Sequence, residues 1–194
     1  MNPVPIRRVL ELVIAALEAG EAPYHVTGGL ASSFYGEPRL TQDVDVVVRL
    51  TSADAEWIAK ALSPDFLVDQ RRAARAAEVG GMFQALHLEL VVKADFHVGE
   101  AVPGELGRSR TVDIFDGLQV RIVSKEDAIL SKLLWARSGS VRSRSDVLGM
   151  LLDPQPVDER LLDALASELG CAALLQEIRR EARTGRSDRD GPLP

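Results

Sequence analysis

Cysteine is nearly missing: Cys171 stands alone in 194 residues. That excludes an internal disulfide and a zinc site built on thiolates. It also fits a reducing compartment, so a cytoplasmic location is expected. Aromatic residues are few, at 5%. No apolar run approaches the roughly 20 residues that cross a bilayer, and no membrane partner is expected. The formal net charge is −6, so the broad positive field that steers nucleic acid is lacking. Positive charge does gather locally, in Arg71, Arg72 and Arg75 and in Arg137, Arg142 and Arg144. Solvated faces are the ordinary reading of both, although the second cluster offers a place for phosphates or an RNA end. No trio of His, Asp and Glu shows zinc spacing. What is present is an apolar fraction of 46%, enough for an ordinary core and not a disordered composition.

The first twenty residues pair two arginines with an apolar stretch, as a signal peptide does. Glu11 and Glu18 interrupt it, however, and Val9, Leu10, Val13, Ile14 and Leu17 recur at helical spacing. An amphipathic helix over 6–19 is the better reading, stopped at Gly20 and Pro23. Strands are expected at 24–27, 44–50, 66–68, 82–87 and 91–97, the third short and at an edge. A hairpin is expected over 110–123 on an Asp116-Gly117 turn. Gly28-Gly29 reads as a turn before a short helix from Leu30 to Tyr35. Ser52 is the expected cap of a helix over 53–62. After Val123 the spacing becomes helical throughout. The fold class is therefore α+β, a mixed sheet with flanking helices and a C-terminal helical subdomain. The expected divisions are 1–123, 124–183 and a loose tail, 184–194. Cys171, His25, His87, Trp57 and Trp135 are read as packing residues.

One segment resists a packing explanation. In "VTGGLASSFYGEPRLTQDVDVVV", Val26 to Val48, Asp43 and Asp45 interrupt a valine strand. Residues two apart on a strand share a face, about 6–7 Å apart. Like charges this close repel, and a hard divalent cation is the simplest remedy. Magnesium favours one or two carboxylates completed by substrate phosphates. Upstream, a Gly-Gly bend leading into a helix brings backbone amides to phosphate oxygens. Either feature alone is weak. Together they offer phosphate donors and metal ligands at a set distance.

The combination resembles the polymerase-beta-like nucleotidyltransferase superfamily. Val26-Thr27-Gly28-Gly29 and Asp43-Val44-Asp45 match its pattern, and Arg39 and Thr41 look like its small prokaryotic members. The resemblance implies a third carboxylate on a neighbouring strand. Asp95 in "VVKADFHV" is preferred, with Glu89 in "LHLEL" as the competitor, since Glu89 falls where a hairpin turns. "KADF", and then Lys132, Ser140 and Asp146, are similar to a branch related to abortive-infection toxins, so a toxin role with a cognate antitoxin is one expectation. Gly29 stands where serine is commoner, which removes one hydroxyl contact to phosphate.

What the resemblance implies is transfer of a nucleoside monophosphate from a nucleoside triphosphate (NTP) to a hydroxyl. The acceptor would be a tRNA end, a protein or a small molecule. The cofactor would be Mg2+ or Mn2+, as a two-metal site. Asp43, Asp45 and Asp95 would be the catalytic and metal-holding residues. Gly28 and Gly29 would place the triphosphate, Ser32 or Ser33 would add a hydroxyl, and Lys132 would reach the β- and γ-phosphates or else remain a solvated lysine. Lys93 shares the face of Asp95 and either pairs with the acids or points to solvent. His97 shares it too but is read first as a plain strand-end residue. The alternative function is a non-catalytic relative that keeps the fold and binds nucleotide or a partner.

Overall fold

The computed structural model describes residues 4–189, with side-chain surroundings for 5–184. Among these residues the chain divides into two compact units. One runs up to Ala31 and includes Arg39–Val123; the other joins Ser32–Pro38 to the residues from Ser124 onward. No helix of the described residues is long and apolar enough to cross a membrane.

The first unit is built on seven strands: β1 (Tyr24–Val26), β2 (Asp43–Val48), β3 (Phe66–Val68), β4 (Met82–His87), β5 (Lys93–Val98), β6 (Arg110–Phe115) and β7 (Leu118–Ile122). Their order is β3-β4-β5-β2-β1-β7-β6, so β3 and β6 are the edges. The sheet is mixed: β2 runs parallel to β5 and β1 parallel to β7, while the other neighbours are antiparallel. Its helices are α1 (Val4–Ala19), α3 (Ser52–Leu62), α4 (Gln70–Val79) and the short α5 (Glu105–Arg108), while α2 (Gly28–Tyr35) starts in this unit and passes into the other at Ser32.

The pleat decides which residues are buried. Val44, Val46 and Val48 of β2 face one side with Ala94, Phe96 and Val98 of β5 and Phe83 and Ala85 of β4, and all are buried. On that side they join Val9, Leu10, Val13 and Leu17 of α1 and Ala55, Ile58, Ala59 and Leu62 of α3 in one core. Phe83 and Phe96 stack with ring centroids 4.5 Å apart. Each buried aromatic contributes on the order of 2 kcal/mol. The alternate residues, Asp43, Asp45, Lys93 and Asp95, therefore face the other side.

Local chemistry sets the helix ends. Thr51, not Ser52, caps α3: its hydroxyl accepts from the Asp54 amide while Asp54 accepts from the Thr51 amide. This reciprocal box needs an acid three residues after the cap, which Thr51 has and Ser52 lacks. Asp69 caps α4 through the amides of Arg71 and Arg72, and Gly80 ends it at φ 67°. The helix over 28–35 begins at Gly28, two residues before the expected start. Trp57 and Trp135 are not core residues, being 45% and 60% exposed. The buried stripe of α3 is Ala55, Ile58, Ala59 and Leu62, and Trp57 stands beside it, with its ring edge over Gly20.

The second unit contains α6 (Lys125–Arg137), α7 (Val141–Leu152), α8 (Glu159–Glu168) and α9 (Ala172–Arg189). Ser124, Ser140 and Asp158 cap the first three with their side-chain oxygens. Gln155 ties the 32–38 segment in by donating to the Phe34 carbonyl at 3.2 Å. Lys125 is buried and donates to Asp153 Oδ1 and to the carbonyls of Asp153 and Gln155. Cys171 is buried in this unit. Helix α9 continues past Thr184 to Arg189, over residues read from sequence as loose tail; 190–194 lie outside the described residues.

Candidate active site

Three chain segments meet on the side of the sheet that carries Asp43, Asp45 and Asp95. β1 ends at Val26, and the Thr27 amide then donates to the Asp45 carbonyl at 2.9 Å. The chain turns at Gly28, whose φ is 61°, and α2 starts. No other residue type suits this position. A Cβ there would overlap the Asp45 carboxylate, and L side chains rarely adopt that φ. The next amide, of Gly29, donates to Asp45 Oδ2 at 3.4 Å. The first turn of a helix, with its positive dipole end, thus rests on a carboxylate.

Asp43 and Asp45 are half-buried on β2. The parallel register with β5 sets Asp45 opposite Asp95, Asp43 opposite Lys93 and Val47 opposite His97. Neighbouring strands lie about 4.8 Å apart, so Asp45 and Asp95 are nearest neighbours across the ladder. Asp95 is buried, at 8% exposure. Both its oxygens are held: Lys93 Nζ lies 2.8 Å from Oδ2, and Gln84 Nε2 of β4 donates to Oδ1 at 3.1 Å. His97 Nε2 lies 3.6 Å from Asp45 Oδ1. Thr41 Oγ1 donates to Asp43, with carbonyl and Oδ1 each 3.2 Å away.

Lys93 shows the field these acids make. Its pKa is raised, first by the hydrogen bond to Asp95. The charges of Asp95, Asp43 and Asp45 add to this, and partial burial opposes it. One ammonium thus serves three carboxylates. The donors are all carboxylate oxygens, which suits a hard cation such as magnesium. Among the described residues, no three acidic, histidine or cysteine side chains are drawn together closely enough to hold a metal by themselves.

The other sequence-predicted residues are placed as follows. Ser32 and Ser33 come one turn later on α2, Ser32 buried and Ser33 half-buried. Lys132 lies on α6 in the helical unit, where its Nζ pairs with Asp146 Oδ2 at 3.0 Å. Glu89 is in the turn between β4 and β5, where its amide donates to His87 Nδ1. His97, which shares the face of Asp95 and was read first as a plain strand-end residue, lies against Asp45. One contact escaped the sequence reading. Gln84 holds Asp95, and nothing local in the sequence marks it, because only the β4–β5 register brings it there. Gly29 also gains a reason. A Cβ there would meet Thr41 Oγ1 at 2.5 Å, so the Thr41 hydroxyl sits where a side chain at 29 would.

By sequence, the chain matches no family model and no curated protein. By structure, it is similar to the antibiotic-resistance factor ANT(2'')-Ia. The TM-score is 0.52 at 15% identity, covering 94% of each chain. A second structure of ANT(2'')-Ia, in complex with adenylyl-2''-tobramycin, gives a TM-score of 0.50 at 16% identity, covering 92% of this chain and 97% of that one. The lincosamide antibiotic adenylyltransferase LnuA, lincomycin-bound, gives 0.51 at 12% identity, with 77% of this chain and 96% of that chain covered. Identities this low speak to architecture, and on that likeness the chain has the nucleotidyltransferase fold.

Proposed function

We propose that the chain is a divalent-metal-dependent nucleotidyltransferase that moves a nucleoside monophosphate from an NTP to a hydroxyl on a small acceptor molecule. The observation that supports this most is the meeting of three features on one sheet face. Asp45 stands opposite Asp95, Asp43 shares their side, and the Gly28–Gly29 helix start abuts Asp45. The small-molecule acceptor draws support from the structural neighbours, which are named for antibiotics and antibiotic resistance.

In this reading the helix start at Gly28 and Gly29 places the triphosphate, with the Gly29 amide exchanging Asp45 for a phosphate oxygen. Asp43, Asp45 and Asp95 are the residues that would hold magnesium or manganese. The ion, when bound, supplies positive charge against the phosphate oxygens. Asp95 accepts the proton of the acceptor hydroxyl. The freed oxygen bonds to the α-phosphorus, the bond from that phosphorus to the bridging oxygen breaks, and pyrophosphate leaves with the electron pair. Lys93 and Gln84 orient Asp95 through its two oxygens. Proximity on a rigid sheet is the main contribution asked of the protein. The reading draws on the sheet unit and α2; Lys132, paired with Asp146, is assigned no step.

The test uses each α-labelled NTP with magnesium and a small-molecule extract, with Asp45→Asn as control. Label transfer lost in the variant supports the enzyme. Magnesium-dependent NTP binding without transfer to any acceptor points to the non-catalytic relative. Absence of NTP binding refutes both.

A further inference from the structure

The side of the sheet that carries Asp95 continues across β4 toward the β3 edge. The registers set Leu67 beside Leu86, Leu86 beside Lys93, and Gln84 beside Asp95. By the pleat, Leu67, Met82, Gln84 and Leu86 all share the side of Asp95. Leu67 is 66% exposed and Met82 49% exposed, an unusual showing for an edge of this sheet. A cavity of about 510 Å³ opens over them, walled by Arg72 of α4 and by Lys93. Its size suits a small molecule.

Its chemistry is specific. The floor is apolar: Leu67, Met82 and Leu86. The charged side chains are Arg72, Lys93 and Asp69. Asp69 is committed to capping α4 through two amides. Lys93 is committed to Asp95. The Arg72 guanidinium has no ion pair among the described residues, and its positive charge is left for a ligand. Gln84 and Lys93, both in the wall, hold the two oxygens of Asp95. The polar end of the cavity therefore adjoins the carboxylate assigned above to the acceptor proton.

We propose that this cavity is the acceptor subsite, and that it takes a small amphiphile carrying a hydroxyl, an apolar body and an anionic group. The proposal rests on the nucleotidyltransferase reading of Asp95. The hydroxyl lies toward Asp95, the apolar body on Leu67, Met82 and Leu86, and the anion against Arg72. The product is the acceptor joined through its oxygen to the nucleoside monophosphate, with the proton on Asp95 and pyrophosphate released. A polycationic acceptor is disfavoured, because its charge would meet an unpaired guanidinium in place of a carboxylate.

The test is titration calorimetry on the full chain with 10-hydroxydecanoate and 10-aminodecan-1-ol. These probes share the hydroxyl and the chain and differ in the sign of the terminal charge. The hydroxy acid is expected to bind at least about tenfold more tightly than the amino alcohol, a difference of ~1.4 kcal/mol. Arg72→Glu, at an exposed position, is expected to remove or reverse that preference. Leu67→Asp is expected to weaken both probes. Binding of neither probe, equal binding of both, or a preference unchanged in Arg72→Glu overturns the proposal. Magnesium-dependent ATP binding is titrated separately, with Asp45→Asn as control. Its failure refutes the transferase reading and the acceptor role together. ATP binding with no preference between the probes refutes the cavity assignment alone.

Discussion

Replacing Gly28 by alanine tests the central geometry. Two costs add. A left-handed conformation costs a non-glycine residue roughly 1–2 kcal/mol, and Gly28 stands at φ 61°. The new Cβ also overlaps the Asp45 carboxylate, and overpacking of this kind costs about 1–3 kcal/mol. The sum is on the order of 3 kcal/mol. In a chain of this size, each kcal/mol lowers the melting temperature by roughly 2–4 °C. Urea unfolding and thermal melting followed by circular dichroism read the loss. Gly29→Ala is the comparison. Its Cβ meets the Thr41 hydroxyl and its φ is not positive, so the cost is a displaced Thr41–Asp43 hydrogen bond, about 1 kcal/mol. In a double-mutant cycle, Asp45→Ala removes the two carboxylate overlaps at Gly28 and leaves the Cβ contact at 2.6 Å and the backbone cost. A coupling of about 1–3 kcal/mol between positions 28 and 45 is expected. Displacing Asp45 should also weaken magnesium-dependent ATP binding by about 10–100-fold. The reasoning fails if Gly28→Ala is no less stable than Gly29→Ala, or if its effect simply adds to that of Asp45→Ala.

Alkaline pH should weaken the sheet unit through Tyr24. Burial, and then the charge and hydrogen bond of Glu18, push its phenol pKa well above the usual range, with Arg121 opposing. The folded pKa exceeds the unfolded value of about 10, so this stability is complete below pH 10 and declines as pH rises above it. Urea midpoints between pH 8 and 11.5 should show the decline, and Tyr24→Phe should flatten it. Lys125→Met is expected to cost about 3–5 kcal/mol. All three ammonium donors are in use, and the variant leaves two carbonyls without this donor and the Asp153 carboxylate with the Gln155 amide in place of the cation. Chemical denaturation of the variant reads it, and a loss under 1 kcal/mol contradicts the account. Glu105 is buried and accepts from the Ala101 and Val102 amides with one oxygen, while its other lies 3.5 Å from His25 Nε2. Glu105→Ala should cost about 3 kcal/mol and Glu105→Gln about 1 kcal/mol, because the amide keeps an acceptor for the two N–H groups. Equal losses in the two would refute that ranking.

Local periodicity alone determined much of this protein. The spacing of Val9, Leu10, Val13, Ile14 and Leu17 made the first helix and its buried stripe, as the structure has them. Asp116-Gly117 made the hairpin of β6 and β7. The period of two put Asp43 and Asp45 on one side of a strand whose valines face the core. These are properties of a backbone and its nearest neighbours, and they need no partner. Tertiary structure decided the rest. Whether Asp95 stands opposite Asp45 depends on the parallel register of β2 and β5, strands separated by α3, β3, α4 and β4. That register is held by the buried valines, Ala94 and Phe96, and a one-residue slip would turn Asp95 into the core. His97 reaches Asp45 through that same parallel register, whereas Gln84 reaches Asp95, and Arg72 and Leu67 flank one cavity, only because antiparallel neighbours were added at that edge. The exposure of Trp57 and Trp135 was likewise a matter of which helix stripe the core accepted. Side-chain type and spacing carry no record of cross-strand partners, since pairing between distant strands is chosen by the packing of the whole sheet.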